Sequence, residues 1–291
     1  MDLESYFQQI AEGAPDFGIF QRQPVIPILD GWSSLVLEVG GEYIFRFPRF
    51  LEIKAGHEKE AALLPELARA LPVAVPHFEY TWLGDPRSGF GFVAYRKLPG
   101  LPLDRELLRR PAVIQDLARF LSALHAFPTD QALALKVPEC SALAWRQAQR
   151  DFYAWVQERL FPLLDEGQRA RARDTWEPFL DDETHFYFQP VLIHADLAPE
   201  HILCDPQAGG ITGVIDWEDA ALGDPALDFA GLLSLGELQA VRAVIGAYQG
   251  APDSGLEARA AWYLALAPYH QARYGMLFGS PCHLEQGLSA I

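Results

Sequence analysis

Two short stretches carry most of the residues able to do chemistry. VLIHADLAPEHILCD runs from Val191 to Asp205, and GVIDWEDAALGDPALDFA from Gly213 to Ala230. In each, a short apolar run of strand character gives way to acids and imidazoles: His194, Asp196 and His201 in the first, Asp216 in the second. Charge beside a buried strand is costly unless it is paired or holds a metal, so these four side chains are expected to converge on one site. Such a set suits phosphoryl transfer, which needs a carboxylate to orient and deprotonate an attacking hydroxyl, and ligands for a magnesium ion bridging the nucleotide phosphates. It also suits a hydrolase in which the same four residues bind a transition metal that activates water.

The elements that must position these residues can be read along the chain. PVIPILDGWSSLVLEVGGEYIFRFP, residues 24–48, is β-prone and reads as strand, tight turn, strand, Gly-Gly turn, strand. IKAGHEKEAALLPELARAL, residues 53–71, has helical apolar spacing that puts Ala61, Leu64 and Leu67 on one face despite the internal Pro65. Two further β-prone runs, PVAVPHFEYTWLG and GFGFVAYRKL, precede LPGLPL, a Pro/Gly stretch suited to a hinge. Beyond it RPAVIQDLARFLSALHAF and ALAWRQAQRDFYAWVQERLFPLL are amphipathic helices, whose Trp145, Phe152, Tyr153 and Trp155 read as core. The last third is helical again, with Tyr263, Tyr269, His270 and Tyr274 near its end.

Composition narrows the classes of function. The 291 residues, half of them hydrophobic, are enough for two lobes or domains. A net charge of -16 with no basic cluster disfavours nucleic acid as a partner. Cys140, Cys204 and Cys282 form no CxxC pair, which suggests neither a disulfide framework nor a zinc site and fits a reducing compartment. With no basic, apolar leader and no apolar run long enough to span a bilayer, a cytoplasmic protein without a membrane partner is expected.

Taken together, HADLAPEHILCD, IDW, LGDPALDFA and the upstream hairpin resemble the aminoglycoside and macrolide phosphotransferases along nearly the whole chain. The resemblance implies an α+β, two-lobed protein-kinase-like fold. Residues 1–98 would form a nucleotide-binding lobe, an antiparallel sheet with one helix, and residues 99–291 a larger, mainly helical catalytic and acceptor lobe. It implies Asp196 as catalytic base, with His201 and Asp216 as magnesium ligands and ATP or GTP as phosphate donor. His201 stands where most kinases of this fold carry Asn, and is similar to the residue in macrolide and 2''-aminoglycoside kinases. Arg46 occupies the position of the lysine that pairs with the α- and β-phosphates, as in macrolide kinases, and Glu60 that of its helix partner. Ser33 and Ser34 sit at the tip of the phosphate-covering hairpin, while the backbone C=O of Arg96 and N–H of Leu98 would hold the purine edge. Asp228 is expected to support the catalytic loop, and His125 to brace it.

The implied acceptor is a small hydroxylated molecule of aminoglycoside or macrolide type. Glu218, Asp219, Glu237 and Glu285 could supply negative charge to a cationic acceptor, and the aromatic residues an apolar wall. Ser234 stands near where some aminoglycoside kinases carry acids. The alternatives outside this class are the metal hydrolase and a nucleotide-sensing pseudokinase, and an unrelated metabolite remains a further acceptor class. Because imidazole must be neutral to bind metal, phosphoryl transfer is expected to fall in mild acid as His201 protonates. A pH–rate profile that stays flat well below the ordinary histidine range removes His201 from the ligand set.

Overall fold

A computed structural model describes residues 3–14, 23–28, 33–82, 84, 91–250 and 253–291. In chain order the elements are α1 (Leu3–Gly13), β1 (Val25–Ile28), β2 (Ser34–Val39), β3 (Tyr43–Pro48), α2 (Leu51–Ala70), β4 (Phe78–Trp82), β5 (Phe92–Arg96) and β6 (Leu101–Pro102). Then come α3 (Arg105–Leu108), α4 (Pro111–His125), α5 (Thr129–Ala134), α6 (Ala142–Arg159), α7 (Glu166–Asp181) and β7 (Val191–Ile193). The chain ends with β8 (Ile202–Cys204), β9 (Ile211–Val214), β10 (Ala221–Gly223), α8 (Leu227–Leu233), α9 (Leu238–Ala247), α10 (Leu256–Leu277) and α11 (Pro281–Ala290). They gather into two compact units. The first holds residues 1–103, 130–137 and 200–219; the second holds 104–129, 138–199 and 220–291.

The first unit is built on a five-stranded antiparallel sheet in the order β1-β2-β3-β5-β4. The Gly-Gly turn forms as its sequence demands: Gly40 and Gly41 take φ of 65° and 72°, and Val39 pairs with Tyr43 across the loop. The tight turn expected at 29–32 lies outside the described residues, as do Leu83, Gly89 and Phe90 of the later β-prone runs. α2 runs through Pro65 and turns Leu63, Leu64 and Leu67 into the core.

The expectation of a single helix beside this sheet is corrected by α1. Its Ile10, with the following Ala14, is buried against Leu35, Leu37, Phe45, Phe47 and Phe92, and Tyr6 packs edge-on to Phe47 at 4.8 Å. Tyr6 and Ile10 are four apart, one helical turn, which brings both to the sheet. A second, small sheet, β6-β8-β9, also belongs to this unit. β9 stops at Val214, so Asp216 lies beyond the strand end rather than within it.

The second unit is mainly helical, with one antiparallel pair, β7 and β10. Of the aromatic residues expected in its core, Phe152, Tyr153, Tyr263 and Tyr269 are buried, while Trp145, Trp155 and Tyr274 are half-buried. Trp176 is fully buried and contacts Phe152 at 5.4 Å, Trp262 at 5.4 Å and Tyr269 at 5.7 Å. Arg259 is buried as well, donating to both oxygens of Asp224 and both of Asp253. Two chelating carboxylates are what make a buried guanidinium tolerable.

Among the described residues no helix is long and apolar enough to cross a membrane. Gly231, in α8, admits the backbone after Asp196: a Cβ there would lie 2.1 Å from Leu197 O. Gly231→Ala must therefore move main chain rather than a side-chain tip, and is expected to cost about 1–3 kcal/mol of stability, readable as a lowered thermal midpoint.

Candidate active site

β8 and β9 form an antiparallel hairpin whose turn is specified locally. Asp205 accepts the N–H groups of Gln207 and Ala208, and Gly209 takes a φ of 71°. The register pairs Ile202 with Val214, and Ile215 N–H donates to His201 O at 2.9 Å. His201, just before β8, and Asp216, just after β9, are thereby brought to the same end of the hairpin. His201 Nε2 lies 3.5 Å from Asp216 Oδ2.

Asp216 holds a left-handed backbone, φ 70°, which a non-glycine residue keeps only when its surroundings impose it. The next residue supplies the constraint. Trp217 is fully buried, donates Nε1–H to Val214 O, and gives its backbone N–H to Glu60 Oε1 at 3.1 Å. Anchoring the indole inward leaves the preceding carboxylate about one-third exposed.

Arg46 stands at the middle of the first unit's sheet, opposite Val36 on one side and Val93 on the other. Its Nη1 donates to Glu60 Oε1 and Oε2 at 2.8 and 3.1 Å, and its Nη2 to Asp216 Oδ1 at 2.9 Å and Glu218 Oε2 at 2.6 Å. Burial opposes the charge on Arg46, yet the three carboxylates together lift its pKa well above the ordinary value. Burial raises Glu60 while Arg46 opposes the rise. Glu218 is pushed up to about 7, first by burial, against the pull of Arg46 and with repulsion from Asp216 adding to it. Ser33 also hydrogen-bonds Glu218, and Ser34 Oγ lies 3.2 Å from His57 Nε2. His57, Glu60 and Glu218 have ligand atoms within 4.8 Å of one another, as a metal site would, but the Arg46 guanidinium already bonds both acids.

At the purine-edge position of the resemblance, Lys97 N–H donates to Glu42 O at 2.7 Å, between Arg96 and Leu98. The Arg96 side chain turns outward to Glu79 and over the Tyr43 ring. Leu98 packs against Gly213, where a Cβ would meet its Cδ1 at 2.8 Å.

Asp196 belongs to the second unit, after β7. The loop carrying it is held by Asp228, fully buried, whose oxygens accept the N–H groups of His194 and Ala195, both at 2.9 Å. Ala195 has a φ of 69°. His194 is also fully buried, and its Nδ1 accepts the N–H of Asp196 at 3.3 Å. Behind Asp228, His125 bonds it through Nε2 at 3.1 Å and meets Tyr248 OH through Nδ1 at 2.7 Å. His125 and Asp228 thus act as braces, as expected from sequence.

Residues 24–263 match the phosphotransferase enzyme family, APH. The chain belongs to that family. As a member it is a phosphotransferase with an alcohol group as acceptor. This phosphotransferase is 31% identical over 205 residues to viomycin phosphotransferase of Streptomyces vinaceus, covering 68% of each chain. The GDP and kanamycin complex of APH(2")-IIIa superposes with a TM-score of 0.86 at 27% identity, covering 98% of this chain and 96% of that one. Macrolide 2'-phosphotransferase MphH from Brachybacterium faecium superposes with a TM-score of 0.74 at 26% identity, covering 91% of both. The fold of the phosphotransferase is accordingly kinase-like and α+β.

Two acids have partners that their place in the sequence did not disclose. Glu218, grouped above with the acceptor acids, turns onto Arg46, and Glu237 is chelated by Arg109. His57 escaped the sequence reading altogether; its only signal was a titratable residue one turn before Glu60 on the same helix.

His57 gives a testable pH dependence. Burial first, and then Arg46, lowers its pKa from 6.5 to about 3. Between those values the unfolded chain binds a proton that the fold excludes, so this group's contribution to stability declines as pH falls through that window. Glu218, raised from 4.5 to about 7, works in the opposite sense. His57→Asn is therefore expected to lose less stability than the unchanged protein between about pH 7 and pH 5 in denaturant titrations. An identical loss in both removes His57 as a source.

Proposed function

We propose that the chain transfers the γ-phosphate of ATP or GTP to a hydroxyl of an aminoglycoside- or macrolide-like acceptor, with Asp196 as base. The observation that carries this reading is the meeting of His201 and Asp216 at 3.5 Å in the unit where Arg46 is paired with Glu60. One imidazole nitrogen and one carboxylate oxygen at the same end of a hairpin would be the chain's two ligands for a small divalent ion. Magnesium bound by these two residues would neutralise charge on the transferred phosphate.

The chain's own groups have separable tasks. Arg46, kept cationic by its carboxylates, would hold nucleotide phosphates, and Ser33 and Ser34 the hairpin over them. The backbone of Arg96 and Leu98 would take the purine edge. Asp196, on a loop fixed through Asp228, would orient the acceptor hydroxyl and accept its proton. Residues 1–98 would then be the nucleotide lobe, and residues 99–291 the catalytic and acceptor lobe. The nucleotides and aminoglycosides named with the structural relatives support a nucleotide donor and a small hydroxylated acceptor. The relative named for viomycin adds that antibiotic to the candidates. Three free thiols support a reducing, cytoplasmic setting. The metal hydrolase reading loses support, because His194 is buried with Nδ1 engaged as a loop brace and is a poor fourth ligand.

The test is a mass-spectrometric screen for phosphorylated product across aminoglycosides, macrolides, viomycin and cell-extract metabolites, with ATP and with GTP. Asp196→Asn is expected to lower any turnover by about 100-fold or more while leaving nucleotide binding in place. Product formed equally by that variant would remove Asp196 as the base. Nucleotide binding with no product from any acceptor would favour a sensing module. Thermal stabilisation by zinc alone, and not by magnesium with nucleotide, would restore the hydrolase.

A further inference from the structure

Both amino nitrogens of Arg46 are taken by carboxylates: Nη1 by Glu60, and Nη2 by Asp216 at 2.9 Å and Glu218 at 2.6 Å. A phosphate oxygen that pairs with Nη2 must take a donor from Asp216 or Glu218. Glu60 is poorly placed to yield, being fully buried on α2 and also accepting the N–H of Trp217. Asp216 has its second oxygen turned toward His201. Glu218 remains. It makes the shortest contact with Nη2 and hydrogen-bonds Ser33 of the hairpin as well, so it occupies two groups that a phosphate would use. Gly56 makes room for it, since a Cβ at that position would lie 3.4 Å from Glu218 Cβ.

We infer that Glu218 is a built-in competitor of the nucleotide phosphates: its carboxylate holds Arg46 in place and must leave Nη2 when a phosphate binds, so it sets nucleotide affinity. This rests on the reading of Arg46 as the phosphate partner. Electrostatics gives the direction. Arg46 carries one positive charge among three carboxylates, and a triphosphate brings further negative charge to the same donors. Lys59, nearly buried on α2 and already under the attraction of Asp219, Glu60 and Glu218, is a second cation beside the displaced carboxylate.

The test compares binding of a non-hydrolysable ATP or GTP analogue, with magnesium, to the unchanged protein, Glu218→Gln, Arg46→Gln and the double variant by calorimetry. Glu218→Gln is expected to bind roughly tenfold more tightly, and Arg46→Gln more weakly. In the double variant the gain from Glu218→Gln should vanish, because it acts through Arg46. A purely structural role would weaken binding instead. Should Glu218→Gln fold poorly in a melting control, Glu218→Asp, one methylene shorter with the charge kept, is expected to show a smaller gain. Equal or weaker binding by the folded variant overturns the role of Glu218 alone. An unchanged protein that binds neither analogue overturns the kinase reading with it.

Discussion

A guanidinium buried in the middle of a sheet must be matched by negative charge, and much of the first unit's arrangement follows from that need. Arg46 is 4% exposed, and its partners come from two elements distant in sequence: Glu60 from α2, and Asp216 and Glu218 from the segment after β9. Removing one partner of such a group leaves charge without compensation, which is far costlier than losing a surface pair. The sheet, the helix and the β8–β9 hairpin are thus tied through a single side chain. Trp217 adds a second tie, since its N–H bonds the same Glu60 that holds Arg46.

A parallel constraint operates in the second unit. Asp228 is fully buried and matched by backbone donors from His194 and Ala195 instead of by a cation alone, with His125 completing its shell. Ala195 and Asp216, which flank or form the candidate chemistry, are two of the three non-glycine residues with positive φ among those described. Such backbones persist only where neighbours over-determine them. Asp228 and the close approach of Leu197 to Gly231 do so for one, and the inward anchor of Trp217 does so for the other.

Much of this was legible in the sequence. The hairpins announced themselves through alternating β-branched and aromatic residues and through Gly40-Gly41, and the buried α2 face through Leu64 and Leu67, though the structure adds Leu63 to it and leaves Ala61 half-buried. α1 was harder to read, because a short helix with a narrow apolar stripe becomes meaningful only once there is a sheet for Tyr6 and Ile10 to cover. β8 was hidden for a related reason: three residues carry too little periodicity to declare a strand until their partner is known.

The sequence by itself determined which residues had the types for phosphoryl transfer, because acids and imidazoles after apolar runs are costly to bury without purpose. It also placed Arg46 and Glu60 at spacings that a strand and the following helix could join. Tertiary structure alone decided where the remaining charges point. Glu218 faces Arg46 and Glu237 faces Arg109, rather than standing ready for an acceptor. His57 is held neutral by burial beside the same arginine. Sequence position fixes the kind of group, but the direction of a carboxylate and its protonation depend on which cation the fold brings within about 3 Å and how much water it excludes.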